Sequence, residues 1–269
     1  MGESQVIKGV NSLQTVESIK KDLKNLGLKE GMTIIVHSSL SSLGWVCGGA
    51  VSVIQALMDV VTMSGNIIMP TQSSNYSDPK YWGNPPVPKE WWESIRDNMP
   101  AYEEEITPSI GVGVVCEVFR NYPEVKRSSH PQVSFAAWGK DRDYILKNQP
   151  LNYALGENSP LEKIYKLDGH VLLIGVDYTS NTSFHLSEYY KVNNEIYKDG
   201  APIMIDGKRA WVEFEEIEMD EDIFNDIGND FEKEYKINEA YVGNANTKLF
   251  KQRQAVNFAK EWFLKSEIK

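Results

Sequence analysis

His185 stands three residues before Glu188 at the end of the stretch Val171–Tyr190 (VLLIGVDYTSNTSFHLSEYY). The apolar run Val171 to Val176 reads as a buried strand that empties into a polar loop. His185 then opens a helical pattern, and a residue three positions on shares its face, which places Glu188 beside it. A histidine just past an interior strand can be both oriented and exposed to a substrate. That is the usual address of a general base in an open α/β sheet. The competing reading is a structural histidine satisfied by its neighbours.

Two further stretches carry possible chemistry. In His37–Ala50 (HSSLSSLGWVCGGA) a strand runs into a Ser- and Gly-rich loop that feeds a helix. Small residues let backbone approach a ligand closely, and free amides at a helix start suit an anion. The P-loop pattern and G-x-G-x-x-G are both missing, so nucleotide hydrolysis and dinucleotide binding lose their signatures. A phosphate-bearing cofactor of another kind stays open. In Lys126–Gly139 (KRSSHPQVSFAAWG) a basic pair precedes two serines and His130, a cluster that favours charge-assisted phosphate contacts. Similar pairs at Lys20-Lys21 and Lys208-Arg209 make the pair undistinctive, and His130, held extended before Pro131, reads better as a loop brace.

The elements that must position these groups are legible in outline. Val16, Ile19, Leu23 and Leu26 fall at helical spacing, with Thr15 as N-cap and Gly27 as C′ residue. Thr33 to His37 reads as a strand, Gly49 to Met63 as an apolar helix and Asn66 to Met69 as a second strand. That order makes a βαβ unit and predicts a parallel or mixed sheet. Further on the pattern predicts helices over 111–120 and 161–167, a strand over 132–139, and a hairpin over 199–217 turning at Asp206-Gly207. A closing amphipathic helix is expected over 247–264. Residues 70–108 hold few periodic elements but many aromatics and prolines, which predicts an ordered loop forming one wall of a binding cleft.

The chain has 269 residues, 41% of them hydrophobic, enough for a substantial core. No apolar run is long enough to span a membrane, and no signal-peptide or myristoylation pattern opens the sequence. Two cysteines, Cys47 and Cys116, argue against a disulfide framework and for a reducing cytoplasm. The formal net charge of −10 makes nucleic acid a poor partner and would steer a cationic small substrate inward.

The motifs His37–Gly44 with Gly48–Ala50, Pro70-Thr71, Arg127–Gly139, Gly156–Leu161, Asn181–Tyr189 and the ending Gly243–Trp262 together resemble the aminoglycoside 3-N-acetyltransferases, the antibiotic N-acetyltransferase family. The likeness runs from about residue 15 to the C-terminus as a set of ordered motifs. It implies acetyl transfer from acetyl-CoA to the 3-amino group of a 2-deoxystreptamine antibiotic, a resistance activity. It also implies one α/β/α sandwich domain around a mixed, largely parallel sheet, with no metal.

Carried onto this chain, the resemblance gives the cofactor the loop residues Ser38, Ser39, Leu40, Leu43, Gly44, Val46, Gly48 and Gly49. Thr71, Arg127, Ser128 and Phe135 would line the rest of its channel. His185 would be the catalytic base, with Glu216, and Glu218 behind it, as the carboxylate on its other nitrogen. Thr182 or backbone amides near Ser38 would meet the oxyanion. Many relatives carry aspartate where this chain has Thr179, so acidic grips for a polyamine are sought at Asp78, Glu157, Asp177 and Glu188. Two other outcomes stay open: a ping-pong acyltransferase or thioester hydrolase through Cys47, and a non-catalytic binder of the same ligands.

Overall fold

The computed structural model describes Ile7 and residues 12–266 of the chain. Helix α1 (Val16–Leu26) begins where Thr15 accepts from Ser18 N–H, and the Ser18 hydroxyl accepts from Thr15 N–H in return. It ends at Gly27, whose left-handed backbone (φ 109°) sends its N–H back to Leu23 and Lys24. Its buried face is Ile19, Leu23 and Leu26. Strand β1 (Thr33–Ser38), helix α2 (Gly49–Val61) and strand β2 (Asn66–Pro70) follow as the expected βαβ unit, with β1 and β2 parallel in the register Thr33 to Asn66.

Next come α3 (Trp92–Asn98), α4 (Val114–Arg120), β3 (Lys126–Arg127), β4 (Phe135–Gly139), α5 (Arg142–Leu146) and α6 (Pro160–Lys166). Strand β5 (His170–Ile174) leads to the four-residue helix α7 (His185–Glu188). The chain closes with β6 (Ile196–Ile205), β7 (Lys208–Ile217), α8 (Phe224–Glu234), β8 (Asn238–Val242), β9 (Ala245–Lys251) and α9 (Gln252–Ser266).

Seven strands form one sheet in the order β3-β4-β2-β1-β5-β9-β8. Helices cover both faces, so the chain is an α/β/α sandwich around a mixed sheet. The expectation of a largely parallel sheet is corrected: only β2-β1-β5 run parallel, and both flanks are antiparallel. Alternation divides the core. Ile34, Val36, Leu172 and Ile174 face α1, α2 and α4, while Ile35, Val171 and Leu173 face α5, α6, α8 and α9.

The predicted helix over 247–264 is corrected to strand β9 followed by α9. Leu249 and Phe250 are adjacent and apolar because they face opposite sides of a sheet buried on both. That pattern continues into the helix without a visible break. The hairpin β6–β7 forms a separate two-stranded sheet, and its turn sits at Asp206 and Gly207, both at positive φ. No described helix is long and apolar enough to cross a membrane.

Candidate active site

The carboxyl ends of β2, β1 and β5 surround a cleft of about 820 Å³, where chain order reverses around β1. Ser38 to Gly49 supply one wall, Val176 to Thr182 with His185 the facing one, and Gln72 with Gly111 to Val114 the third. At the turn after β5, Gly175 adopts φ 63°, and a Cβ there would lie 2.4 Å from that of Ser42. Ser42 Oγ donates to Gly175 O at 3.1 Å and lies 2.9 Å from Ser39 Oγ, which locks the serine loop onto the opposite wall.

A short turn, Thr182–Phe184, delivers His185 to α7. Phe184 is fully buried, Ser187 Oγ donates to Val256 O at 2.9 Å, and Gln252 Nε2 donates to Ser183 Oγ at 3.1 Å. The Phe224 ring lies 4.9 Å from the imidazole. These contacts leave the histidine little freedom. Its Nδ1 lies 2.6 Å from Glu188 Oε2, and the glutamate side chain has no exposure to solvent. Glu188 Oε1 accepts from Lys191 Nζ at 2.7 Å and from Asp220 N–H at 2.9 Å. Burial alone would push this carboxyl up, but His185, Lys191 and the Asp220 amide outweigh it and hold it below the usual carboxylate range. An ionised carboxylate only accepts, so Nδ1 carries a proton, and in the neutral imidazole the lone pair sits on Nε2.

The carboxylate on His185 is therefore Glu188, not Glu216 or Glu218. Glu216 is bound by Tyr189 Oη, Ala154 N–H and Ile217 N–H, and Glu218 is exposed on the hairpin side. Glu188, sought as a substrate grip, is internal. Of the predicted cofactor residues, Ser38, Ser39, Leu40, Gly44, Val46 and Gly49 line the cleft with His185. Leu43 is buried in the core beneath, and Gly48 is the N-cap of α2 at φ 83°, where a Cβ would meet Ser52 Oγ at 2.4 Å. No side chain caps α2.

Thr71, Arg127, Ser128 and Phe135 lie off the cleft. Arg127 is buried, and its five N–H groups go to Thr71, Ser73, Ser134 and the carbonyls of Thr71, Glu104 and Thr107. None is left for a phosphate. Ser128 Oγ donates to Gln149 at 2.6 Å and accepts from Phe135 N–H, and the Phe135 ring is core.

Asp78 is buried against Arg96 (2.7 Å) in the segment that packs on the β6–β7 hairpin. Of residues 70–108, Pro70 and Gln72 reach the cleft. Glu157 is exposed away from it, and Asp177 Oδ1 accepts from Thr179 N–H and Oγ1–H.

Sequence reasoning does not reach Gln72, Trp45, Gly111 to Val114 or Glu221. The paired glycines Gly111 and Gly113 ahead of α4 were a readable signal of close backbone approach; Glu221 lay hidden in an acidic run. Among the described residues no group of three or more His, Cys, Asp or Glu side chains could hold a metal ion.

Residues 35–264 match the family model described as aminoglycoside 3-N-acetyltransferase. The chain belongs to that family. It is 52% identical over 98% of both chains to the SPbeta prophage-derived aminoglycoside N(3')-acetyltransferase-like protein YokD of Bacillus subtilis (strain 168). The crystal structure of that protein superposes with a TM-score of 0.98 over 99% of each chain. Aminoglycoside N(3)-acetyltransferase IX of Micromonospora chalcea is 28% identical, over 97% of this chain and 98% of its own. The structure of AAC-IIIb in a binary complex with CoASH matches with a TM-score of 0.86 and 27% identity, over 95% of this chain and 98% of that one. In this chain the serine loop, Gly49 at the start of α2 and His185 stand around one cleft.

Proposed function

We propose that the chain acetylates the 3-amino group of 2-deoxystreptamine aminoglycosides by direct transfer from acetyl-CoA, with His185 as general base, and so confers resistance. The observation that carries this reading is the buried Glu188–His185 pair opening onto the cleft that the serine loop also lines. The naming of relatives as aminoglycoside acetyltransferases, and a relative bound to CoASH, support the substrates.

Acetyl-CoA supplies an acyl group activated as a thioester. The residues present fit its phosphates: serines and glycines line much of the wall, and α2 begins at Gly49, on the cleft, with no side chain hydrogen-bonded over its first turn. An ammonium cannot attack a thioester, so the amine must lose a proton. The ammonium gives one proton to solvent; His185 Nε2 takes the second as the amine nitrogen forms its bond to the acyl carbon, and returns it to the sulfur as the C–S bond breaks. Glu188 fixes the tautomer and stabilises the imidazolium. The Ser39 N–H is already donated to Ile174 O at 3.0 Å, which favours Thr182 Oγ1 on the cleft wall as oxyanion donor.

Thiol release from acetyl-CoA with gentamicin, kanamycin and apramycin tests the reaction. His185→Ala is expected to lose ~10²–10⁴-fold in turnover with its circular dichroism unchanged. Turnover equal to the parent protein's would remove His185 from the mechanism. Saturable binding without thiol release would make the chain a binder.

A further inference from the structure

Resting on the acyl-transfer reading, the charges around the base give a role to a residue outside the cleft. Lys191 is not among the residues that line it. Its Nζ lies 2.7 Å from Glu188 Oε1, while Glu188 Oε2 lies 2.6 Å from His185 Nδ1, so an imidazole and an ammonium share one carboxylate. The Glu188 side chain has no exposure and that of Lys191 only 17%, so solvent screens the three groups weakly. Lys191 is held in place: its N–H donates to Glu188 O at 3.0 Å, its carbonyl accepts from Asn194 Nδ2, and its ammonium sits 4.5 Å above the Phe263 ring of α9.

Counting charges gives the consequence. With a neutral imidazole, the negative Glu188 and the positive Lys191 cancel, and a second proton on His185 leaves an uncancelled positive charge in a buried place. Without Lys191 the resting site would be negative, and the same proton would neutralise it. We propose that Lys191 is a positioning residue for the base: by sharing Glu188 with the imidazole it keeps His185 free of a second proton at rest, so that Nε2 is ready for the acceptor amine. The other titratable groups facing this site are common to the parent protein and any Lys191 variant. His37 at the end of β1 is kept neutral by burial, Glu216 on β7 lies near the imidazole with Tyr189 bound to it, Glu221 stands on the cleft wall, and Lys260 of α9 lies 3.6 Å over the Tyr190 ring. Asp220 reaches Glu188 through its amide. A difference between parent and variant therefore reports Lys191.

The test is the NMR titration of the His185 ring, assigned against His185→Ala, in the parent protein, Lys191→Gln, Lys191→Met and Lys191→Arg. The glutamine keeps a donor without the charge, should the methionine variant fail to fold. Both uncharged variants are expected to raise the His185 midpoint by about one pH unit, the effect of removing a weakly screened like charge. Lys191→Arg, which keeps the charge, should leave it in place. The ratio of variant to parent kcat/KM for kanamycin, in which the acceptor's own protonation cancels, should fall about tenfold from alkaline to acid pH in Lys191→Gln and stay flat in Lys191→Arg. Midpoints equal to the parent's in the uncharged variants overturn the proposal, and so does an equal shift in Lys191→Arg, which would mark a packing role. A flat ratio beside shifted midpoints would take the His185 proton out of the rate and overturn it as well. Shifted midpoints in a protein that releases no thiol from acetyl-CoA would remove acetyl transfer and keep the hold of Lys191 on the imidazole.

Discussion

The Tyr189 hydroxyl donates to Glu216 Oε1 at 2.8 Å, so Glu216 braces the residue next to Glu188 rather than the imidazole. The Ala154 and Ile217 amides, each at 2.9 Å, complete its shell. Burial pushes the Glu216 carboxyl up, and these donors with the nearby His185 pull it back only in part. Two neighbouring glutamates thus have separable duties, one orienting the His185 imidazole and one closing a hydrogen-bond network.

Glu188→Gln should lower kcat/KM by ~10²-fold or more, because an amide can offer N–H to Nδ1 and favour the wrong tautomer. It also leaves Lys191 without its partner, so the urea midpoint should fall. Glu216→Gln keeps an acceptor for its donors and should cost roughly 1–2 kcal/mol of stability with kcat/KM within about threefold. Steady-state thiol release and urea unfolding on the pair decide the matter. A larger activity loss in Glu216→Gln would show that the orienting carboxylate has been misassigned.

Arg127 makes a second contrast between site and scaffold. Its guanidinium ties β3 to Thr71, Ser73, Ser134 and the 104–107 carbonyls with every donor used. Arg127→Ala strands several buried acceptors and should destabilise by about 3–5 kcal/mol. The protein that remains folded should keep its KM for acetyl-CoA. A large rise in that KM at unchanged unfolding midpoint would return Arg127 to the cofactor channel.

The sequence made the βαβ start, the Thr15 and Gly27 caps and the Asp206-Gly207 hairpin legible, because each rests on local chemistry: a capping hydroxyl, a left-handed glycine, a turn pair. The His185–Glu188 spacing was legible in the same way, as two residues on one helical face. What failed was non-local. Whether Glu188 points at the histidine or at a ligand depends on Lys191 and Asp220, and Asp220 lies 32 residues away in sequence. Arg127 reads as a phosphate grip until the carbonyls around it are known. Helix α8 and strand β8 stayed hidden because their apolar residues are sparse within an acidic stretch.

Three histidines should govern acid stability. Burial, with His185 nearby, lowers His37 to about 3. Burial lowers His130 to about 4 against the pull of the Leu151 carbonyl, and burial with Lys251 lowers His170 to about 4. From their ordinary 6.5 downward the unfolded chain takes up protons that the folded chain refuses, so stability falls as pH falls. Each histidine adds up to ~1.4 kcal/mol per pH unit across that window. Glu188 acts in the same sense at lower pH, since its depressed pKa gives stability that is lost as pH drops through the folded value. Urea unfolding between neutrality and pH about 4 should show this slope. His37→Leu should flatten it by one proton, whatever its effect on the midpoint. A slope unchanged in that variant would mean that the His37 imidazole is charged in the folded protein.

The two thiols separate direct transfer from a ping-pong route. Cys47 is exposed and lies outside the cleft lining, with its N–H given to Gln14 O and its carbonyl taken by Ser52 Oγ. Cys116 does reach the cleft wall, but burial pushes its thiol up to about 12, far from the thiolate that attack requires. Neither position offers an activated nucleophile. Incubation with acetyl-CoA alone should therefore leave the intact mass unchanged, and Cys47→Ala should keep kcat/KM within about twofold, as a surface change does. An acetyl adduct that forms on acetyl-CoA alone and disappears when an aminoglycoside is added would establish a covalent intermediate. His185 would then act on the enzyme's own thiol before it acts on the drug.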